Sequence, residues 1–167
     1  MARHVLACHE MIGNTEPVTR PTILVVDDEN GPREAFRLVL EDHFNVLTAE
    51  SGSAALDVLR ENRVDVVTLD LMMPFLSGIE TLKRIRELDP DVEVVIVSAL
   101  PQRDVTSQCA QLRAFDILAK PFSRVEILSA AKRASTRRRD RRRARESAAA
   151  APQTAVPIQL RRPGENG

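Results

Sequence analysis

Five polar side chains of the kinds that bind metal ions and phosphate follow short apolar stretches of the chain. They are two adjacent aspartates after the first stretch, one after the third, a serine ending the fourth and a lysine after the fifth: Asp27, Asp28, Asp70, Ser98 and Lys120. Each alone has a structural explanation as a turn residue, a cap or a solvated charge. Clustered carboxylates, however, repel and raise one another's pKa unless positive charge lies among them. A divalent cation that prefers oxygen ligands, such as Mg²⁺, would supply that charge together with Lys120.

The elements that must position these residues are predicted by alternating strand and helix patterns. The stretch 22–27 is short, β-branched and apolar on both faces, as a buried parallel strand is. Four further strands are predicted at 45–49, 64–69, 92–98 and 115–119. Five strands alternating with five helices predict an α/β fold with a doubly wound parallel sheet. In such sheets the functional residues lie at the carboxyl ends of the strands, which is where these five side chains fall.

Helix signals separate the predicted strands. The first helix follows Asn30-Gly31-Pro32 and places four apolar residues on one face: Ala35, Phe36, Val39 and Leu40. Ser51 can cap the second helix, and Gly78 opens the third. Ser123 and Glu126 have the spacing of a capping box for the last helix, whose inner side carries Ile127, Leu128, Ala131 and Ala134.

Charge is distributed unevenly along the 167 residues. The 24 basic and 24 acidic side chains cancel, but residues 1–131 carry 13 basic and 21 acidic groups whereas residues 132–167 carry 11 and 3. We therefore expect a mobile leader at 1–20, one folded domain at 21–134, and an Arg-rich helix extension with a disordered tail at 135–167. That extension is interpreted chiefly as a solvated segment, or as one that lies against an acidic surface of its own domain or of another protein.

Composition excludes several classes of protein. No stretch approaches the ~20 consecutive apolar residues of a membrane-spanning helix, and the first residues lack the apolar core of a secretory signal. We therefore expect a cytoplasmic protein without a membrane partner. The chain has no Trp or Tyr and only 5 Phe, which removes most of the aromatic platforms on which single-stranded nucleic acid stacks.

Four short motifs, in order, resemble the receiver domain of two-component response regulators. They are ILVVDDE at 23–29, DLMMP at 70–74 with Ser77-Gly78 behind it, VSA at 97–99 and KPF at 120–122. The resemblance covers roughly residues 21–134. It implies a flavodoxin-like receiver fold with strand order 2-1-3-4-5.

The same resemblance implies a role for each site residue. Asp70 would be the phosphoryl acceptor, and Asp28 and Asp70 would bind Mg²⁺ directly. The backbone carbonyl of Met72 would be a third ligand, and Asp27 would act through water. Lys120 would pair with Asp70 before transfer and with a phosphoryl oxygen after it, which suits an ammonium group acting as a point charge.

Four further positions concern switching and the backbone around the site. The Ser98 hydroxyl would donate to the phosphoryl group and draw the following loop inward, and the bond before Pro121 would be cis. Ile117 stands where receiver domains commonly carry Tyr or Phe, so the usual ring movement is not expected. Arg113 replaces a glycine often found before the fifth strand, which leads us to expect a different turn there.

The partners implied are a histidine kinase or phosphotransfer protein as donor, and a protein that binds the face formed by the fourth and fifth helices and the fifth strand. A homodimer through that face is a further expectation. The chain would catalyse only its own phosphorylation and dephosphorylation.

An alternative is a phosphorylation-controlled nucleic-acid-binding regulator that uses the Arg-rich segment: Arg137, Arg138, Arg139, Arg141, Arg142 and Arg143. An Asp-dependent phosphohydrolase is disfavoured. Such enzymes carry two aspartates one residue apart after the first strand, whereas Asp27 and Asp28 are adjacent and Asp70 follows the third strand.

Overall fold

Strands and helices alternate along the described chain. The structure is a computed structural model that describes residues 20–74, 76–99 and 103–150. The strands are β1 (Thr22–Val26), β2 (Asn45–Ala49), β3 (Val66–Asp70), β4 (Glu93–Ser98) and β5 (Asp116–Ala119). The helices are α1 (Asn30–Leu40), α2 (Gly52–Glu61), α3 (Gly78–Leu88), α4 (Arg103–Gln111) and α5 (Arg124–Ala150). All but residue 20 of the leader expected at 1–20, and the tail beyond Ala150, lie outside the described residues.

The strands form one parallel sheet in the order β2-β1-β3-β4-β5, which confirms the predicted fold. Both faces of the sheet are covered. Ile23 and Val25 of β1 pack with α1 and α5, whereas Leu24 and Val26 pack with the side chains of α2, α3 and α4. Burial on both sides explains why the inner strands β1, β3 and β4 are mostly apolar without alternation, whereas the edge strands β2 and β5 are partly exposed.

The helix starts follow the sequence signals. The Ser51 side chain accepts a hydrogen bond from Ala54 N, and Gly78 begins α3. At the start of α5, Ser123 N donates to Glu126 Oε2 at 2.7 Å while Glu126 N donates to Ser123 Oγ at 3.2 Å. This reciprocal pair is a capping box and confirms the predicted boundary.

Some element limits and one core position differ from the sequence-based predictions. β3 begins two residues later than predicted, and β4 and β5 begin one later. Ala35 is exposed, because the core stripe of α1 is formed by Phe36 and Leu40, four residues apart, and Ala35 lies instead on a surface groove beside Phe122.

The last helix extends well past the sheet. At 1.5 Å per residue its 27 residues span about 40 Å, roughly twice the length of the strands. Its first part is buried against the sheet through Ile127, Ala130, Ala131 and Ala134. The remainder passes the amino ends of the strands, so that Arg137 and Arg141 each reach Glu93, the first residue of β4. Among the described residues, no helix is long and apolar enough to cross a membrane.

Candidate functional site

The polar residues that follow the strands meet at the carboxyl edge of the sheet. Asp27 follows β1 directly and Asp70 ends β3, two strands that are neighbours in the sheet. Asp27, Asp28 and Asp70 each place a carboxylate oxygen within 4.8 Å of the others. Asp27 and Asp70 are buried whereas Asp28 is exposed, so the cluster opens to solvent on one side.

Lys120 bridges two of these carboxylates. Its Nζ lies 2.6 Å from Asp70 Oδ2 and 3.4 Å from Asp27 Oδ2. Burial lowers the pKa of Lys120, but the hydrogen bond and charge of Asp70, with those of Asp27, outweigh it and raise the pKa above its ordinary value. The amine is therefore protonated at neutral pH and supplies one positive charge to the cluster.

The two buried aspartates have the same local geometry. Asp27 Oδ1 accepts a hydrogen bond from Glu29 N, and Asp70 Oδ1 accepts one from Met72 N, both at 2.9 Å. These are Asx turns, in which a carboxylate binds the backbone two residues ahead. Each turn fixes one carboxylate oxygen and leaves the other, Oδ2, to bind Lys120.

Arg33 also contributes to the site, a role that sequence reasoning missed. Its Nη1 donates to the backbone carbonyl of Asp27 at 2.7 Å, from α1. The contact holds the segment after β1 against that helix. The only signal for it is a basic residue in the first turns of α1, which is uninformative in a chain with 24 basic residues.

Close packing behind Asp70 depends on Gly78. A Cβ at this position would lie 2.5 Å from Leu71 Cα and 2.6 Å from the Asp70 carbonyl oxygen, both of them backbone atoms. Ser77 caps α3 by accepting from Glu80 N, and Gly78 N reaches Leu71 O at 3.4 Å. The start of α3 therefore packs directly on the backbone of the residues at the end of β3.

Ser98, Pro121 and Ile117 occupy different surroundings. Ser98 is buried at the end of β4, and its carbonyl accepts from Lys120 N at 2.8 Å, so it adjoins the cluster. The Lys120–Pro121 bond is cis, the isomer that the resemblance implies. Ile117 lies outside the cluster and packs with the core on the side of α4, near the buried Cys109.

The turn before β5 retains the conformation that glycine favours. Arg113 has φ 57°, and its carbonyl accepts from Arg86 Nη2 at 2.8 Å. Arg86 Nε also donates to Leu112 O, and its Nη1 to Val92 O. Arg86 therefore holds the carbonyls of this segment in place around a non-glycine residue in the left-handed region.

The donor set fits a hard divalent cation. Three carboxylates face one lysine, which leaves two negative charges uncompensated within the cluster. Carboxylate oxygens, with room for water on the exposed side of Asp28, are the ligands that Mg²⁺ prefers.

The Arg-rich segment mostly contacts the protein itself. Arg138 binds both oxygens of Asp89 at 3.0 and 2.7 Å, and Arg137 and Arg141 each lie 3.3 Å from Glu93. Arg142 lies 3.4 Å from Glu146. Within the described residues, the side chains of Arg139 and Arg143 have no ion pair. The segment is therefore less solvated than the sequence suggested, and most of the six arginines are already engaged.

Comparison with known proteins identifies the family. The model of the response regulator receiver domain matches residues 23–132. The chain belongs to the response regulator receiver family. It is thus a phosphoryl-accepting signalling domain of a two-component system.

Relatives of this receiver differ in length. Sporulation initiation phosphotransferase F of Bacillus subtilis is 36% identical over 116 residues, covering 66% of this chain and 90% of that protein. Protein-glutamate methylesterase/protein-glutamine glutaminase of Bacillus licheniformis is 42% identical over 110 residues, covering 63% of this chain and 30% of that protein. A receiver domain structure from Clostridium thermocellum superposes with a TM-score of 0.68 at 33% identity, covering 71% of this chain and 97% of that one. Some relatives thus match almost end to end, whereas others carry the receiver as under a third of their length.

Proposed function

We propose that Asp70 is the phosphoryl acceptor of this receiver and that Lys120 and a bound Mg²⁺ ion make the transfer electrostatically feasible. The observation that carries the proposal is the ion pair between Lys120 Nζ and Asp70 Oδ2, set within a cluster of three carboxylates. Asp70 is the carboxylate of this cluster that both contacts the lysine and ends the central strand β3.

The ligands available to Mg²⁺ are the carboxylates of Asp28 and Asp70 and the backbone carbonyl of Met72, with Asp27 acting through water. The ion would neutralise negative charge on the acceptor and on the incoming phosphoryl group. This assignment is supported by the oxygen-only donor set and by the two negative charges that Lys120 leaves uncompensated.

The transfer joins an Asp70 carboxylate oxygen to phosphorus as the bond between phosphorus and the donor nitrogen or oxygen breaks. The donor group leaves with the bonding electron pair and takes up a proton. Lys120 then exchanges its contact with Asp70 Oδ2 for one with a phosphoryl oxygen, so its charge stays paired throughout. Such a reaction needs positioning and charge neutralisation more than covalent help, which the fixed carboxylates and the lysine provide.

Switching is proposed to pass through Ser98 to the face formed by α4, β5 and α5. The backbone contact between Lys120 N and the Ser98 carbonyl, at 2.8 Å, supports a role for the Ser98 hydroxyl as a donor to a phosphoryl oxygen, because it brings the end of β4 next to the lysine. Ile117 packs on the α4 side of β5, where a branched aliphatic side chain would repack as β4 moves. A partner protein or a second copy of the chain would bind the face formed by α4, β5 and α5 with a different affinity after this conformational change.

The donor is proposed to be a histidine kinase or a phosphotransfer protein, and the chemistry to be limited to phosphorylation and dephosphorylation of Asp70 itself. The cytoplasm, where such donors present their phosphohistidine, is the proposed location. A likeness to sporulation initiation phosphotransferase F over 90% of that protein supports a role in a relay in which the receiver acts without an attached enzyme.

The test is incubation of the full chain with acetyl phosphate and Mg²⁺, followed by intact mass measurement. We expect addition of one phosphoryl group, its loss in Asp70→Asn, and its retention in Asp42→Asn, a control at an exposed aspartate outside the cluster. Omission of Mg²⁺ should abolish labelling. Equal labelling of Asp70→Asn and the native chain would refute the assignment.

A further inference from the structure

A polar cavity lies at the amino edge of the sheet, opposite the proposed phosphorylation site. We call it the arginine cleft. It has a volume of about 260 Å³, and its charged lining comes from the chain before β1, the loop before β3 and the extension of α5: Arg20, Arg63, Asp65, Arg138, Arg139 and Arg142. A smaller neighbouring cavity of about 240 Å³ shares Arg63, Arg138 and Arg142 with it and adds Arg145 and Asp91.

Positive charge dominates this region. Among the described residues, six arginines line the two cavities, and the carboxylates near them are those of Asp65 and Asp91 in the lining, of Asp89 through its pair with Arg138, and of Glu146, which lies 3.4 Å from Arg142. Two of these carboxylates also accept backbone hydrogen bonds: Asp65 Oδ2 accepts from Thr22 N at 2.9 Å, and Asp89 accepts from the loop before β4. Six positive charges against four negative ones leave the two cavities with an excess of two positive charges.

Three guanidinium groups of the cleft have unused hydrogen-bond donors. Within the described residues, the side chains of Arg63 and Arg139 have no hydrogen bond or ion pair. Arg142 Nε is buried and makes no hydrogen bond there, although the Glu146 carboxylate lies 3.4 Å away. Because a buried donor without a hydrogen-bond acceptor is unfavourable, an anion in the cleft would supply the hydrogen bond that Arg142 Nε lacks among the described residues.

We propose that the arginine cleft binds a small anion carrying a di- or triphosphate group. Guanidinium groups bind phosphate oxygens through paired donors in a fixed plane, and several converging arginines favour more than one phosphate. The volume lies just below the ~300–1,000 Å³ typical of sites for whole small molecules, so it suits a polyphosphate head group with the rest of the ligand at the surface.

The proposed ligand would join parts of the chain that are distant in sequence. Arg20 precedes β1, Arg63 follows α2, and Arg139 and Arg142 belong to the extension of α5 beyond the sheet. Binding would hold the extension against the domain more firmly than its own ion pairs do. This site is separate from Asp70, and its occupancy is independent of the function proposed above.

The test is isothermal titration calorimetry of the full chain with inorganic pyrophosphate and with ATP at low salt. EDTA is present so that no divalent cation links the phosphates to the carboxylate cluster at Asp70. The variants are Arg63→Gln and Arg139→Gln. Neither side chain has a partner among the described residues, so their loss should not disturb folding. Arg143→Gln is the matched control, since it lies on the same helix, is exposed and lines neither cavity.

We expect each cleft variant to weaken binding of both probes by at least about tenfold, as loss of a charge-assisted hydrogen bond does, and the control to bind as the native chain does. Tighter binding of ATP than of pyrophosphate would identify a nucleotide as the ligand class, and equal binding a free polyphosphate. Absence of binding to either probe would overturn the proposal. So would an equal loss in all three variants, because that pattern indicates diffuse attraction to the Arg-rich helix, as nucleic acid would show.

Discussion

Replacing Arg138 by glutamine should measure how strongly the extension of α5 is held to the domain. Arg138 donates to both oxygens of Asp89, at 3.0 and 2.7 Å, and its side chain is only 12% exposed while that of Asp89 is 35% exposed. Asp89 Oδ1 also accepts from the backbone of Asp91 and Val92, so the carboxylate is already fixed before the arginine binds.

The geometry sets the expected size of the effect. Exposed ion pairs contribute about 0.2–1 kcal/mol, whereas breaking a fully buried pair costs about 3–5 kcal/mol. Because Arg138 is nearly buried and Asp89 keeps contact with water, we expect Arg138→Gln to lower the free energy of unfolding by about 1.5–2 kcal/mol. At roughly 4 °C per kcal/mol for a domain of this size, Tm should fall by about 6–8 °C.

The assay is urea and thermal unfolding of the native chain, Arg138→Gln and the control Arg143→Gln. Arg143 is exposed and has no partner within the described residues, so its loss should change stability by less than about 0.5 kcal/mol. A double-mutant cycle with Asp89→Asn should return a coupling energy of about 1 kcal/mol or more. Equal stability of the Arg138 and Arg143 variants would refute the idea that Arg138 anchors the helix.

The pH dependence of the same effect follows from Asp89. Burial raises its pKa, but the hydrogen bond from Arg138, those from the backbone of Asp91 and Val92 and the charge of Arg138 lower it overall below the ordinary 3.8. A carboxyl with a lowered folded pKa stabilises the protein above its unfolded pKa and loses this contribution as pH falls through the folded value. The difference between native chain and Arg138→Gln should therefore be constant above about pH 5 and shrink below about pH 4.

Two further predictions concern backbone positions. Gly78→Ala should slow phosphorylation by acetyl phosphate by about 10–100-fold, because the new Cβ meets the backbone of Leu71 and Asp70. Gly31→Ala should leave the rate unchanged, since no described residue lies within 4 Å of its added Cβ. An unchanged rate in a folded Gly78→Ala protein would contradict this reasoning. Arg113→Gly should stabilise the domain by about 0.5 kcal/mol in urea unfolding, since relief of about 1–2 kcal/mol of left-handed strain exceeds the entropy that glycine adds to the unfolded chain. Arg113→Ala keeps the left-handed strain and should not stabilise the domain. Equal effects of Arg113→Gly and Arg113→Ala on the free energy of unfolding would argue against strain at this position.

The sheet and the carboxylate cluster were predictable because they depend on local patterns. Apolar strands buried on both faces have an unmistakable sequence, and the carboxyl ends of parallel strands must meet, so Asp27, Asp70 and Lys120 could be placed together without coordinates. The strand order came from the resemblance to receivers. What local patterns could not provide was the burial of individual helix positions, such as exposed Ala35, because a one-residue rotation of the helix decides it.

The course of α5 beyond residue 134 was the least predictable feature. Arginines four residues apart repel one another by about 0.2–0.5 kcal/mol per pair, which correctly disfavours an isolated helix. The outcome depends on carboxylates far away in sequence. Asp89 follows α3 directly and Glu93 is the first residue of β4, and no pattern within the Arg-rich segment reveals that these two residues lie beneath it.

The arrangement of arginines explains how a helix with so many like charges is stable. Arg137, Arg141 and Arg145 recur every four residues and form one stripe, and this stripe contacts Glu93, at the start of β4, and Asp91 just before it. Glu93 is 1% exposed and lies 3.3 Å from both Arg137 and Arg141, so one buried carboxylate converts a repulsive pair into two attractive contacts. The charge balance of the whole chain follows the same principle. The acidic domain and the basic extension, whose charges cancel in composition, also neutralise each other in space along this stripe. The neighbouring Arg139 lines the cleft and has no ion pair with any residue that the structure describes.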